Sequence, residues 1–113
     1  MTQSFVISGD LLIGADSTGD NRTARAINPA TGANLEPAFA IAGEADVARA
    51  CELAAEAFDV YRATSPEQRA AFLEKIADNI IGIGDALIER ATEETGLPVA
   101  RLQGERGRTV GQL

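Results

Sequence analysis

Few residues in this 113-residue chain could do chemistry: one cysteine, no histidine, and a set of carboxylates and arginines at helical spacing. A nucleophilic cysteine needs a base, a cation or a helix N-terminus to hold it as thiolate. Without histidine there is no Ser-His or Cys-His pair and no imidazole metal ligand. Cys51 falls on the apolar stripe of a helix, about two turns from its start. It therefore reads as a small buried hydrophobe. A lone cysteine also excludes an internal disulfide and a thiolate zinc cluster, which suits a reducing cytoplasm.

Glu93 and Glu94 form an acid pair, but general acid–base work needs carboxylates that converge in a buried site. The following Thr95-Gly96-Leu97-Pro98 makes them two solvated carboxylates at a helix end. Gly82-Ile83-Gly84 interrupts a helical pattern and is not a Gly-x-Gly-x-x-Gly turn between strand and helix, so it carries no dinucleotide fingerprint. The sequence therefore offers no catalytic and no cofactor-binding residue. One cluster remains. Arg101, Glu105, Arg108 and Gln112 share a helix face, with Arg106 near its edge. Arginines so placed can hold a carboxylate through paired hydrogen bonds. The same spacing also allows an Arg101–Glu105 ion pair and contacts to further protein.

These residues must be positioned by a mainly helical α+β chain. Residues 1–42 read as short strands and turns: an apolar run from Ser4 to Ser8, then Leu11 to Ile13. A turn cluster follows at Ser17-Thr18-Gly19-Asp20-Asn21, then Thr23 to Asn28, and a second turn at Pro29-Ala30-Thr31-Gly32 where Gly32 supplies positive φ. Ala38 to Ala42 completes a hairpin or meander. From Gly43 the period becomes helical. Val47, Ala50/Cys51, Ala54, Phe58 and Tyr61 form one stripe, behind Gly43 as N-cap with Glu44 and Asp46 in the first turn. Ser65-Pro66-Glu67-Gln68 is a capping box with proline at the first helical position. Its stripe runs through Phe72/Leu73, Ile76, Ile80, Ile83, Leu87 and Ala91, with a break or bend at Gly82 and Gly84. Gly96 and Pro98 end it. A third helix runs from Pro98 to the last residue.

The net charge is −7, with 45% hydrophobic and 24% charged residues, ordinary globular usage. Residues 1–42 carry −2, residues 43–95 carry −7 and residues 96–113 carry +2. The acidic middle argues against nucleic-acid binding. No apolar run reaches the roughly 20 residues of a membrane span, and Met1 to Ser8 lack the pattern of a secretory signal. With 21 alanines and five aromatic residues, the helix stripes bury little area alone. Narrow stripes and the lack of a stop signal at Leu113 lead us to expect a piece of a longer protein. The other reading open at this point is a stand-alone helical interaction module.

Several stretches together resemble the N-terminus of the aldehyde dehydrogenase superfamily. They are Asn28-Pro29-Ala30-Thr31-Gly32, then Asp46-Val47 with Ala50, Ala54-Ala55 and Ala57-Phe58. Ser65-Pro66-Glu67-Gln68-Arg69 with Phe72-Leu73, Ile76-Ala77-Asp78 comes next, and Glu94-Thr95-Gly96-Leu97-Pro98 closes the series. The tail from Ala100 to Leu113 resembles the branch that oxidises α-ketoglutaric semialdehyde (2,5-dioxopentanoate), with NADP-dependent fatty-aldehyde dehydrogenases as the nearest alternative. Leu97 departs from the lysine of most of the superfamily.

The resemblance implies that residues 1–113 are the N-terminal part of a Rossmann-like coenzyme domain, in a homo-oligomer that uses NAD or NADP bound by later segments. It also implies a thiolate nucleophile and a Glu-activated water, neither of which maps onto this chain; Cys51 aligns with a structural helix position. Backbone groups near Ile27 and Glu94 would help hold a monovalent cation. Arg106 or Arg108 would meet the terminal carboxylate of the aldehyde substrate.

Overall fold

The computed structural model describes residues 5–18 and 22–113. The chain divides into two compact units, one built from Val6–Ala26 and Leu35–Thr64, the other mainly from Ile27–Asn34 and Ser65–Leu113.

The first unit carries the strands. β1 (Leu11–Ile13) pairs antiparallel with β2 (Asp16–Thr18), Leu11 opposite Thr18 and Ile13 opposite Asp16. The reversal is therefore the two-residue turn Gly14–Ala15. Gly14 has φ +63°, the left-handed backbone that two-residue hairpin turns require. Of the turn cluster expected at Ser17–Asn21, Ser17 and Thr18 belong to β2, and residues 19–21 lie outside the described residues. β3 (Thr23–Ala24) pairs with β4 (Phe39–Ala40). Gly9 is buried beside β4 with φ +80°; a Cβ there would stand 2.1 Å from the Ala38 carbonyl oxygen. Its own carbonyl accepts the Ala40 N–H at 2.8 Å. Phe5 to Ser8, expected as an apolar strand, joins no ladder, and Ser4 lies outside the described residues.

α1 (Glu44–Arg62) begins as its sequence predicts. The Gly43 N–H donates to Asp46 Oδ2 at 2.8 Å, so the acid of the first turn closes the helix start. α1 packs on β1. Leu53 provides the half-buried contact, and a Cβ on Gly14 would meet its Cδ1 at 2.9 Å.

The second unit is helical. α2 (Pro66–Ile83) starts with the expected reciprocal cap: Gln68 N–H donates to Ser65 Oγ at 3.1 Å, and Ser65 N–H donates to Gln68 Oε1 at 2.9 Å. α3 (Asp85–Thr95) and α4 (Val99–Gln112) follow. The stripe read as one helix with a break is thus two helices. The break falls at Gly84, whose φ 71°, ψ −143° no helix can contain, while Gly82 stays inside α2. Gly96 ends α3 in the left-handed conformation, its N–H donating to Thr92 O at 2.9 Å. The core consists of Ala77 on α2 and Ile88 on α3, and α4 packs against both helices.

In the same unit the Asn28–Gly32 turn closes on itself. Gly32 N–H donates to Asn28 O at 2.8 Å, and Ala30 N–H to Asn28 Oδ1 at 2.9 Å. Asparagine can supply that side-chain turn, and Gly32 takes the positive φ of 75° expected of it.

Candidate functional site

α4 carries the arginines that the sequence singles out. Pro98 stands as its N-cap with extended backbone, so the helix starts at Val99 and fixes the angular order of every residue after it. Arg106 and Arg108 are two positions apart, roughly 200° around the helix. They serve different surfaces. Arg106 is half-buried, and its Nη1 donates to the Gly84 carbonyl oxygen at 2.9 Å. It borders an apolar cavity of about 380 Å³ lined chiefly by Ile80, Ile83, Leu87, Ile88 and Leu102. Arg108 is exposed, in a groove of about 340 Å³ with Glu105, Thr109 and Gln112. It makes no hydrogen bond or ion pair to the described residues. The two arginines therefore do not converge on one carboxylate. The ion pair open to Arg101 and Glu105 is not made among the described residues either.

Glu93 and Glu94 lie exposed at the end of α3, as their sequence context suggests. Glu94 Oε1 accepts from Arg90 Nε at 2.6 Å, an i,i+4 pair on one helix. The last turn is closed by Thr95 Oγ1, which donates to Ala91 O at 2.6 Å and accepts from Leu97 N–H at 3.1 Å. Gly96 abuts the Asn28–Gly32 turn: a Cβ there would stand 3.2 Å from Pro29 Cγ. Ile27 flanks that turn, bridged to Asn34. The unit thus brings the Ile27 segment beside the C-terminal end of α3, where carbonyl dipoles favour a cation. The described residues hold no group of three or more His, Cys, Asp or Glu side chains able to bind a metal. Ile27 can offer its backbone oxygen, and Glu94 a backbone oxygen beside a carboxylate already paired with Arg90.

Cys51 corrects an expectation. It sits on α1 as read, but exposed rather than buried. In its unit β1 packs against α1 on the side of Leu53, away from Cys51. The Arg106–Gly84 contact went unread for a different reason. It joins residues 22 apart through a backbone carbonyl, and a carbonyl has no sequence signature. The one available signal was the glycine interrupting a helical stripe.

Residues 16–113 match the aldehyde dehydrogenase family. The chain is 62% identical over 109 residues, 95% of its length, to alpha-ketoglutaric semialdehyde dehydrogenase 2 of Azospirillum brasilense. It is 50% identical over 68 residues, 60% of its length, to alpha-ketoglutaric semialdehyde dehydrogenase of Acinetobacter baylyi. These matches span 21% of the first relative and 13% of the second.

Proposed function

The chain belongs to the aldehyde dehydrogenase family, and from that premise we propose that residues 1–113 form the N-terminal part of a coenzyme-binding domain in an enzyme that oxidises an aldehyde to a carboxylic acid. The aldehyde is α-ketoglutaric semialdehyde and the product 2-oxoglutarate. One observation carries this reading: 62% identity sustained over 95% of the chain to a relative named for that substrate. We take the enzyme to be a cytoplasmic homo-oligomer. No helix among the described residues is long and apolar enough to cross a membrane.

NAD or NADP would accept the hydride, but the described residues do not fit a dinucleotide. A cradle needs a glycine-rich turn between a strand and a helix, whereas Gly82 lies within α2 and Gly84 joins two helices. The cofactor is held elsewhere in the enzyme. The same holds for the chemical step, since Cys51 has no histidine partner and no convergent carboxylates. The 113-residue chain alone is expected not to reduce NADP.

What these residues contribute is binding and position. Arg108 is the favoured ligand for the substrate's terminal carboxylate, because its guanidinium is exposed and bonded to none of the described residues. Arg106 is the other candidate, with one of its nitrogens already bonded to Gly84. The carbonyls of Ile27 and Glu94 would hold a monovalent cation.

The test is made in the full-length enzyme. Arg108→Ala should lower kcat/KM for α-ketoglutaric semialdehyde by about 10- to 100-fold, the loss of a hydrogen bond to a charged group, and leave a neutral aldehyde unaffected. An unchanged preference in both Arg108→Ala and Arg106→Ala overturns the carboxylate role. Faster turnover of long-chain aldehydes than of the semialdehyde overturns the substrate.

A further inference from the structure

We propose that Arg106 is a positioning residue: its guanidinium pins the Gly84 joint between α2 and α3 and so sets the direction of α3. The inference stands on helix geometry and does not depend on the identity of the aldehyde.

Three observations carry it. First, the joint is a single residue. Gly84 is at once the last cap of α2 and the first cap of α3, at φ 71°, ψ −143°. That conformation lies close to a region essentially restricted to glycine. It gives α3 no side-chain N-cap hydrogen bond. Only one bond from its own amide ties the joint back, Gly84 N–H to Ile81 O at 3.0 Å. Glycine is also the residue with the most backbone freedom, so the angle between the helices is not set by the joint itself.

Second, α4 packs against both α2 and α3. It lies as a splint across the break, and the apolar residues of that contact, Ile83 before the joint and Leu87 after it, line one cavity with Leu102 of α4. Apolar packing of this kind is non-directional and tolerates small rotations.

Third, one directional bond ties the joint to α4. Arg106 Nη1 donates to Gly84 O at 2.9 Å from a half-buried side chain. A charge-assisted bond fixes geometry more tightly than the surrounding apolar contacts. The far end of α3 carries Glu94 and meets Pro29 through Gly96. A rotation at Gly84 would therefore be amplified where the Asn28–Gly32 turn lies.

The experiment uses distance measurements between two spin labels on the 113-residue chain. Cys51→Ser removes the exposed cysteine, and Glu74→Cys on α2 with Glu89→Cys on α3 supplies two exposed attachment sites. A single narrow distance is expected, broadened at least twofold in width by Arg106→Met. Arg106→Lys, which keeps charge and a donor, should restore a narrower distribution. Leu102→Ala removes α4 packing without touching the bond and should broaden it less than Arg106→Met. An unchanged width in Arg106→Met, a lysine variant as broad as the methionine one, or equal broadening by Leu102→Ala overturns the proposal. If Arg106→Met loses its helical signal, amide exchange in Arg106→Gln, which removes the charge and shortens the reach to Gly84 O, decides. Severalfold faster exchange confined to Glu89–Ala91 supports the pin. Exchange unchanged there, or raised equally in α1, overturns it.

Discussion

α1 and α2 are nearly equal in length, 19 and 18 residues, and their sequences look alike: alanine-rich, capped at the start, with an apolar residue every three or four positions. Their fates differ. α2 buries Ala77 and half-buries Ile76, Ile80 and Ile83, because α4 lies across it. α1 buries nothing; Asp46 and Leu53 alone are half-covered, and Val47, Phe58 and Tyr61 stand exposed. The difference separates two things that periodicity merges. Local signals decide that a helix forms and where it begins. Whether its apolar face is covered depends on a partner distant in sequence: α2 has α4 across it, whereas among the described residues α1 meets β1 and keeps most of its face exposed.

The sharpest way to break that comparison is to remove a covered side chain. Ile88 on α3 is 4% exposed and faces the cavity that α2 and α4 share with it. Ile88→Ala should destabilise the helical unit by about 2–5 kcal/mol, since lost transfer energy and an unfilled cavity add. Chemical denaturation followed by far-UV circular dichroism measures it. A loss below about 0.5 kcal/mol would mean that this core does not hold the unit together.

Two backbone substitutions come next, and both sharpen what is local. Gly84→Ala puts its Cβ into open space, so its cost is conformational alone, about 1–3 kcal/mol. Gly82→Ala, also in open space but inside α2, should stabilise by about 0.5–1 kcal/mol. Opposite signs two residues apart, read from paired melting curves, locate the joint at Gly84 and nowhere else. Ser65→Ala should cost about 1 kcal/mol by removing the oxygen that accepts the Gln68 N–H.

These positions also mark how far the sequence could be read. The capping box at Ser65, the left-handed stop at Gly96 and the break within the glycine-interrupted stripe were all legible, because each is a local requirement of backbone geometry. Ser17 and Thr18, read as part of a polar turn cluster, belong to β2 instead, because the β1–β2 reversal takes only Gly14–Ala15 and that pair carries little polar signal. Gly14 supplies the positive φ that a two-residue reversal demands. The arginine face of α4 was legible as a face, but its division was not. Arg106 finds Gly84 O and Arg108 finds none of the described residues, and that depends on where α2 ends relative to α4.

The smallest expected effect on stability falls on α1 and tests the comparison from its other side. Phe58 is 62% exposed, with the Arg62 guanidinium 5.6 Å from its ring centre. Such an exposed cation–π pair contributes about 0.5–1 kcal/mol. Phe58→Ser should therefore change stability by no more than that, far less than Ile88→Ala. Its consequence lies between molecules. Phe58 and Tyr61 lie on one apolar face of α1, and uncovered apolar patches promote association. Wild-type chain at increasing concentration should sediment as growing oligomers, and Phe58→Ser should shift that association to higher concentration. If the substitution instead costs as much as Ile88→Ala, α1 is covered in solution, and the contrast between the two helices fails.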